Sequence, residues 1–248
     1  MLNNFPLRTA LCITGLPRTM EYCYPSQKQH LLDVYHPDVF TICTTPEFHR
    51  VVDLYNPTGF IALTEEEVLE KATELRHGLT PVAYPPSALP FSYKAKLCVE
   101  LMREWEKAQG YEYDLVFFSR FDVKFKSIQP VSLPEQDTLY VPRVGAYWAT
   151  PPADPGIHWG GYSGHLCWTT PRVAEMISNI YYAPEDWHGR SCASSETWGN
   201  AAEYLLKYFC DNNGIQARLV DIEMMLIRGT SESPLSFNWQ DLSAYPDY

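Results

Sequence analysis

The chain has 248 residues, of which 46% are hydrophobic and 20% charged, a composition typical of an ordinary globular protein. Its length fits one large domain that can fold without disulfides or a structural metal. The formal net charge of −11 at pH 7 argues against a protein that binds nucleic-acid backbones, which needs a basic surface. A few local cations would still be enough to bind one nucleotide.

Short apolar runs alternate with helical patterns through the first half of the chain. The predicted strands are residues 7–14, 38–43, 60–63 and 115–119. The predicted helices are residues 26–36 with Ser26 as N-cap, a helix from the capping box 64–67 to about Gly78, and residues 92–109, ended by Gly110. Continuous apolar strands alternating with helices predict a mostly parallel sheet with helices on both faces.

The second half of the chain, from residue 128, is rich in proline, glycine and aromatic residues. We expect strands at residues 138–141 and 165–168, helices at 171–180 and 196–210, and one or two strands within 218–227. Residues 79–90 and the tail after Gly229 are predicted to be loops. Because no linker separates the halves, we interpret residues 1–248 as a single domain with halves at 1–127 and 128–248.

Seven cysteines are scattered along the chain without a C-x-x-C pair, and several lie inside apolar runs. This pattern indicates reduced, buried thiols and not a disulfide framework or a zinc site. The N-terminus lacks the basic and apolar regions of a signal peptide, and no apolar run approaches the ~20 residues that span a bilayer. We therefore expect a cytoplasmic protein without a transmembrane segment.

Arg120 and Asp122 follow the predicted strand at 115–119, at the carboxyl edge where open α/β sheets bind ligands. Two residues apart in an extended chain, their side chains project to the same side. A carboxylate there can hold a divalent ion that bridges a diphosphate, and a guanidinium can bind phosphate oxygens or orient the carboxylate. From spacing alone, the two residues could equally form a surface ion pair at a strand end.

Three stretches of the sequence resemble a glycosyltransferase family with a GT-A-like fold, seen among bacterial and large-virus polysaccharide enzymes. They are residues 8–18 (R-T-A-L-C-I-T-G-L-P-R), the set 93–94 (Y-K), 113–114 (Y-D) and 120–122 (R-F-D), and the E-Y-L-L helix at 203–206 with the following strand that ends at Arg228. GT-A enzymes usually carry an Asp-x-Asp metal motif. Here the first position is Arg120, so only Asp122 is carried over.

The resemblance implies a GT-A-like three-layer α/β/α sandwich that transfers a hexose or pentose from a nucleotide-sugar donor to a glycan or glycoconjugate hydroxyl. Residues 1–127 would bind the donor and residues 128–248 would shape the acceptor groove. The donor-site residues that it implies are Thr14, Gly15, Arg18, Thr44 or Thr45, Lys94 and Arg120, with Asp122 holding Mn²⁺ or Mg²⁺.

The acceptor side is less defined by sequence. Inverting transfer needs a general base near the acceptor hydroxyl, and Asp186, Glu196 and Glu203 are the candidates, while a retaining mechanism needs no dedicated base. The H-W-G-G-Y-S-G stretch at 158–164 is predicted to approach the donor sugar closely, with Trp159 or Tyr162 stacking on a ring.

Two other functions remain open at this point. One is another nucleotide-dependent transferase, such as a nucleotidyltransferase, although no glycine-rich loop with a following lysine succeeds the first strand. The other is a non-catalytic binding protein, for carbohydrate or for nucleotide. A carbohydrate-binding protein would keep the aromatic residues and tolerate Asp122→Ala without losing affinity for sugar.

Overall fold

The structure is a computed structural model of the chain. It describes residues 7–44, 48–74, 88–128, 131–142, 166–182, 201–220, 222–230 and 233–237.

The strands of the described ranges form two sheets. The strands are β1 Thr9–Thr14, β2 Asp38–Thr44, β3 Gly59–Leu63, β4 Leu115–Arg120, β5 Val123–Ser127, β6 Thr138–Pro142, β7 Leu166–Thr169, β8 Gln216–Val220, β9 Glu223–Thr230 and β10 Ser233–Phe237. The main sheet has seven strands in the order β3-β2-β1-β4-β7-β6-β8, and the smaller sheet has the order β10-β9-β5.

The main sheet is parallel from β3 through β2 and β1 to β4, and β7 alone runs antiparallel to its neighbours β4 and β6. The chain builds β1, β2 and β3 in one direction and then returns to the other side of β1 to form β4. The strand order therefore reverses between the neighbouring strands β1 and β4. At its carboxyl edge Thr14 lies opposite Arg120.

The longer helices follow from local sequence signals. They are α1 Met20–Gln27, α2 Phe48–Tyr55, α3 Glu65–Glu74, α4 Ala88–Gln109, α5 Pro171–Ser178 and α6 Ala201–Asn212. A 3-10 turn, Pro17–Thr19, leads into α1, and a π-helical turn, Lys28–Leu32, and a last α turn, Asp33–Tyr35, continue it. The predicted capping box is confirmed, because the Thr64 hydroxyl accepts from the Glu67 amide (3.0 Å) and the Glu67 carboxylate accepts from the Thr64 amide (2.6 Å).

Apolar side chains cover both faces of the main sheet. One core joins the sheet to α4, α5 and α6, and the other joins the opposite face to α1, α2 and the smaller sheet. Alternate residues of the buried strands belong to alternate cores, as the pleat requires. The predicted α/β architecture, with a mostly parallel sheet between helices, is confirmed by this topology.

Most predicted elements are present with shifted ends, but three predictions were wrong. The predicted helix start at Ser26 is wrong, because α1 begins at Met20 and carries Pro25 inside it. Residues 233–237 of the predicted C-terminal loop form β10, and Ala88 to Pro90 of the predicted loop at 79–90 lie in α4. Helix α1 tolerates Pro25 because it is buried. The free energy gained by packing against the smaller sheet offsets the loss of the backbone hydrogen bond that a proline cannot donate.

Within the part of the chain that the structure describes, no helix is long and apolar enough to cross a membrane.

Candidate functional site

Three polar side chains end neighbouring parallel strands at one edge of the main sheet. Thr14, Thr44 and Arg120 are the last residues of β1, β2 and β4. Each lies two residues beyond a side chain of the core that packs against α4, so the pleat directs all three to the α4 side of the sheet. Both threonines are buried, and Arg120 is partly exposed. The fold thus brings these predicted residues to a shared face and edge.

Gly15 forms the turn that leaves β1 beside Arg120. Its φ of +118° lies where residues with side chains rarely fit. A Cβ at this position would stand 3.8 Å from the Arg120 Cβ, which is ordinary contact, so the requirement for glycine comes from the backbone and not from lack of space. The turn lies at the reversal of strand order, where open α/β sheets bind ligands.

Arg120 and Asp122 form a two-point ion pair. The Arg120 Nε donates to one Asp122 carboxylate oxygen at 2.8 Å, and a terminal guanidinium nitrogen donates to the other at 2.6 Å. Asp122 is only 7% exposed, so the carboxylate does not project into solvent. Paired donors of this kind fix the plane of the guanidinium as well as its position.

The turn that carries Asp122 is tied to two other elements. The Asp122 carbonyl accepts from the Ile227 amide of β9 at 2.8 Å. The carbonyl of the same residue, Ile227, accepts from the Thr19 hydroxyl at 3.1 Å. Arg18, which precedes Thr19, is therefore carried on a turn that shares a bonding partner with Asp122. Its side chain is exposed.

Lys94 lies on α4 and is 6% exposed. One turn further along the helix, the Cys98 thiol lies 3.6 Å from the Phe40 carbonyl and 4.0 Å from that of Ile13, which fixes α4 over β1 and β2. Trp105, further along α4, bonds Tyr111, which bonds Asp38 at the start of β2. The helix therefore runs toward the amino edge of the sheet, and Lys94 lies on the carboxyl-edge side of Cys98. Of the predicted donor-side residues, Thr14, Gly15, Arg120 and Asp122 lie together in the structure, and the roles of all of them remain predictions.

Cys23, near the ion pair, has an unreactive thiol at neutral pH. Burial raises the pKa of the Cys23 thiol on α1 to about 12, and the nearby Asp122 carboxylate adds to the rise. The thiol therefore stays protonated at neutral pH and supplies neither a nucleophile nor a thiolate ligand.

The described residues do not form a ready-made metal site around Asp122. Arg120 engages both carboxylate oxygens, and the described ranges contain no group of three His, Cys, Asp or Glu side chains that could hold an ion. A cation at Asp122 would share the carboxylate with the guanidinium and take its other ligands from elsewhere.

The predicted acceptor-side residues lie outside the described ranges. They are Asp186, Glu196, Trp159 and Tyr162. Thr45, a predicted donor-side residue, also lies outside these ranges. The backbone of Glu203 belongs to α6, but the position of its side chain is not among those described.

Sequence reasoning missed Gln27 and Tyr55, which hold the Asp122 turn from the α1 side. Tyr55 donates to the Gln27 side-chain oxygen at 2.7 Å, and the Gln27 nitrogen contacts the turn. The available signal was slight. Gln27 is four residues from both Cys23 and Leu31, so it is a polar residue on the apolar face of its helix.

The chain resembles solved structures in shape but matches no known sequence family. No family model matches the chain, and no curated protein matches it. A solved structure of mouse xyloside xylosyltransferase 1, in its apo form, covers 87% of this chain and 85% of its own, with a TM-score of 0.48 and 10% sequence identity. A likeness of this degree carries no argument about what this chain binds or transfers.

Proposed function

We propose that the chain is a glycosyltransferase that takes a hexose or pentose from a nucleotide-sugar donor and passes it to a glycan or glycoconjugate hydroxyl, as in polysaccharide biosynthesis. The observation that carries the proposal is the grouping of Gly15, Arg120 and Asp122 where the strand order reverses between β1 and β4. Ligands of open α/β sheets bind outside this edge.

Local charge favours a diphosphate as the group bound there. The chain as a whole carries a net charge of −11, yet Arg18, Lys94 and Arg120 come to one edge of the sheet. Asp122 engages Arg120 at two points, which fixes the plane and the position of the guanidinium. An oriented guanidinium suits phosphate oxygens better than a lysine does.

In the proposed reaction the sugar leaves the donor diphosphate, on which negative charge develops. Arg120, held in place by Asp122, stabilises that charge, and Arg18 and Lys94 contact the phosphates. Thr14 and Thr44 line the nucleoside side, and Gly15 lets the backbone approach the ligand. Asp186, Glu196 and Glu203 stay the candidates for the base that takes the proton from the acceptor hydroxyl if the transfer inverts configuration.

The metal role of Asp122 stays a prediction, and no step above depends on an ion. Because Arg120 bonds both carboxylate oxygens, Mn²⁺ or Mg²⁺ would share Asp122 with the guanidinium and would need the diphosphate as a second source of oxygens.

Nucleotide binding tests the proposal and names the donor class. We expect one nucleoside diphosphate from a panel of UDP, GDP, ADP and CDP to raise the melting temperature. A hundredfold excess over Kd corresponds to about 2.7 kcal/mol of stabilisation. No response to any member of the panel, with or without Mn²⁺, would contradict the proposal.

The same measurement decides the metal role. We expect Mn²⁺ alone to leave the melting temperature unchanged. An extra rise with Mn²⁺ and nucleotide together, lost in Asp122→Asn and kept in Asp137→Asn, would assign the ion to Asp122. Asp137 is a matched control because it precedes β6 at the amino edge of the sheet and has a φ of +59°, which asparagine also adopts.

A further inference from the structure

The buried side chain of Gln27 contacts most of the backbone carbonyls in the turn that carries the ion pair. The Gln27 side-chain nitrogen lies 3.0 Å from the Arg120 carbonyl, 2.7 Å from that of Val123 and 3.3 Å from that of Phe121. The remaining carbonyl, of Asp122, accepts from β9. The carbonyls of Arg120, Asp122 and Val123 therefore have partners, two of them through Gln27, and the Phe121 carbonyl lies within reach of the same nitrogen.

The turn needs such a partner because the chain changes sheets there. β4 belongs to the main sheet and β5 to the smaller one, so the carbonyls between them are buried near a break in strand pairing. A buried carbonyl without a hydrogen bond costs about 1–3 kcal/mol. A glutamine amide has two N–H donors, which suit the two closer carbonyls of Arg120 and Val123.

The orientation of the Gln27 amide is itself fixed. Its oxygen accepts from the Tyr55 hydroxyl at 2.7 Å, and Gln27 is fully buried. Burial raises the pKa of Tyr55, so its hydroxyl stays a donor. Because the carbonyls around the Gln27 nitrogen can only accept, the amide has one orientation that satisfies both sides.

Packing leaves the turn little freedom to move independently of this contact. Phe121 is fully buried and packs edge to face against Tyr55, with ring centroids 5.5 Å apart. Gln27 itself is the last residue of α1 before the π-helical turn Lys28–Leu32. Such turns re-aim helix side chains and are frequent at functional sites.

We infer that Gln27 is a positioning residue that sets the geometry of the Arg120–Asp122 ion pair, and this rests on the proposed function only where the pair acts on a donor diphosphate. Gln27 does not contact the ligand in this account. It acts through the backbone on either side of Asp122, and Tyr55 holds it in the required orientation.

A double-mutant cycle tests the inference without any ligand. The shift in urea midpoint caused by Asp122→Asn is measured in the wild type, in Gln27→Met and in Ser26→Ala. Ser26 is the matched control, because its buried hydroxyl accepts from the Phe125 amide at 3.0 Å but does not bond the turn carbonyls. We expect the shift to fall by about half or more in Gln27→Met and to stay unchanged in Ser26→Ala.

Equal shifts in all three backgrounds would overturn the inference. If Gln27→Met does not fold, Tyr55→Phe is used in its place, since it keeps the amide donors and removes only the hydroxyl that orients them. The cycle decides the point even if the wild type binds no nucleotide, so its failure is distinguishable from failure of the proposed function.

A kinetic measurement extends the test to the reaction. With the donor that the wild type turns over, we expect Gln27→Met to lower kcat by about 10- to 100-fold with a smaller change in KM for the donor. Ser26→Ala is expected to stay within about twofold. A loss of kcat of the same size in Ser26→Ala would show a general structural effect and contradict a positioning role.

Discussion

The exposed Arg18 side chain follows the Gly15 turn, and the structure gives it no ion pair with any other described residue. Its neighbour Thr19 is buried and bonded to β9, so the backbone that carries Arg18 is fixed while the guanidinium reaches solvent. A cation placed in this way contributes little to folding and is available to a ligand.

We therefore predict that Arg18→Ala leaves the melting temperature almost unchanged but weakens binding of the nucleoside diphosphate by about tenfold. The loss should shrink as salt is raised, because an exposed charge is screened. Isothermal titration at low and high salt checks both points. The control is Arg172→Ala, which removes an exposed arginine paired with Asp137 at 2.7 Å, next to the amino end of β6. Equal loss of affinity in both variants would contradict the assignment.

At the residue scale, the sequence predicted the Arg120–Asp122 pair, but only the structure showed the Gln27 contact. The R-x-D spacing predicted that Arg120 and Asp122 lie on one side of the chain, and their two-point ion pair agrees with it. Nothing in the sequence indicated that a glutamine 93 residues away would bond the same turn. That contact depends on how α1 lies against the β4–β5 turn, which no local pattern encodes.

At the scale of elements, residues 113–114 of the glycosyltransferase-like motif stabilise the amino edge of the sheet, opposite the candidate site. Asp114 accepts from the Arg8 amide at 2.8 Å, which ties the start of β4 to the start of β1. Tyr113 donates to Asp38 at the start of β2 at 2.7 Å, and Tyr111 donates to the same carboxylate oxygen at 3.0 Å. These residues hold the amino ends of three strands together, far from the carboxyl edge.

We predict that Tyr113→Phe lowers the free energy of unfolding by about 1 kcal/mol and leaves nucleotide affinity unchanged. The hydroxyl is lost from a buried ring, while Asp38 keeps its bonds from Tyr111 and Thr58. Urea unfolding and nucleotide titration of the same variant check the two halves of the prediction. A change in affinity without a change in stability would contradict the structural role given to this edge.

The elements also show where periodicity and turn signals suffice. Apolar runs located β1, β2 and β4, and Gly110, with φ of +70°, ends α4 as predicted. The sequence did not predict α2 or β5. The polar, lysine-bearing V-K-F-K-S of β5 resembles a surface segment until β9 pairs with it. Pairing between distant strands decides such cases, and local propensity does not.

At the scale of the molecule, the fold class followed from the alternation of strands and helices, whereas the strand order did not. The reversal between β1 and β4, the antiparallel β7 and the separate small sheet come from contacts between residues far apart in sequence. The candidate site lies at this reversal, at the carboxyl edge of the sheet where Thr14 is paired with Arg120.

The most direct measurement of the central claim is donor turnover by Asp122→Asn. Release of the nucleoside diphosphate is followed from the nucleotide sugars of the class that the binding panel selects. We predict a loss of about 100-fold or more in kcat, the scale seen when a charge-stabilising group is removed, measured at a temperature well below the melting transition of the variant. Asp137→Asn should retain wild-type turnover. Unchanged turnover in a folded Asp122→Asn protein would contradict the account.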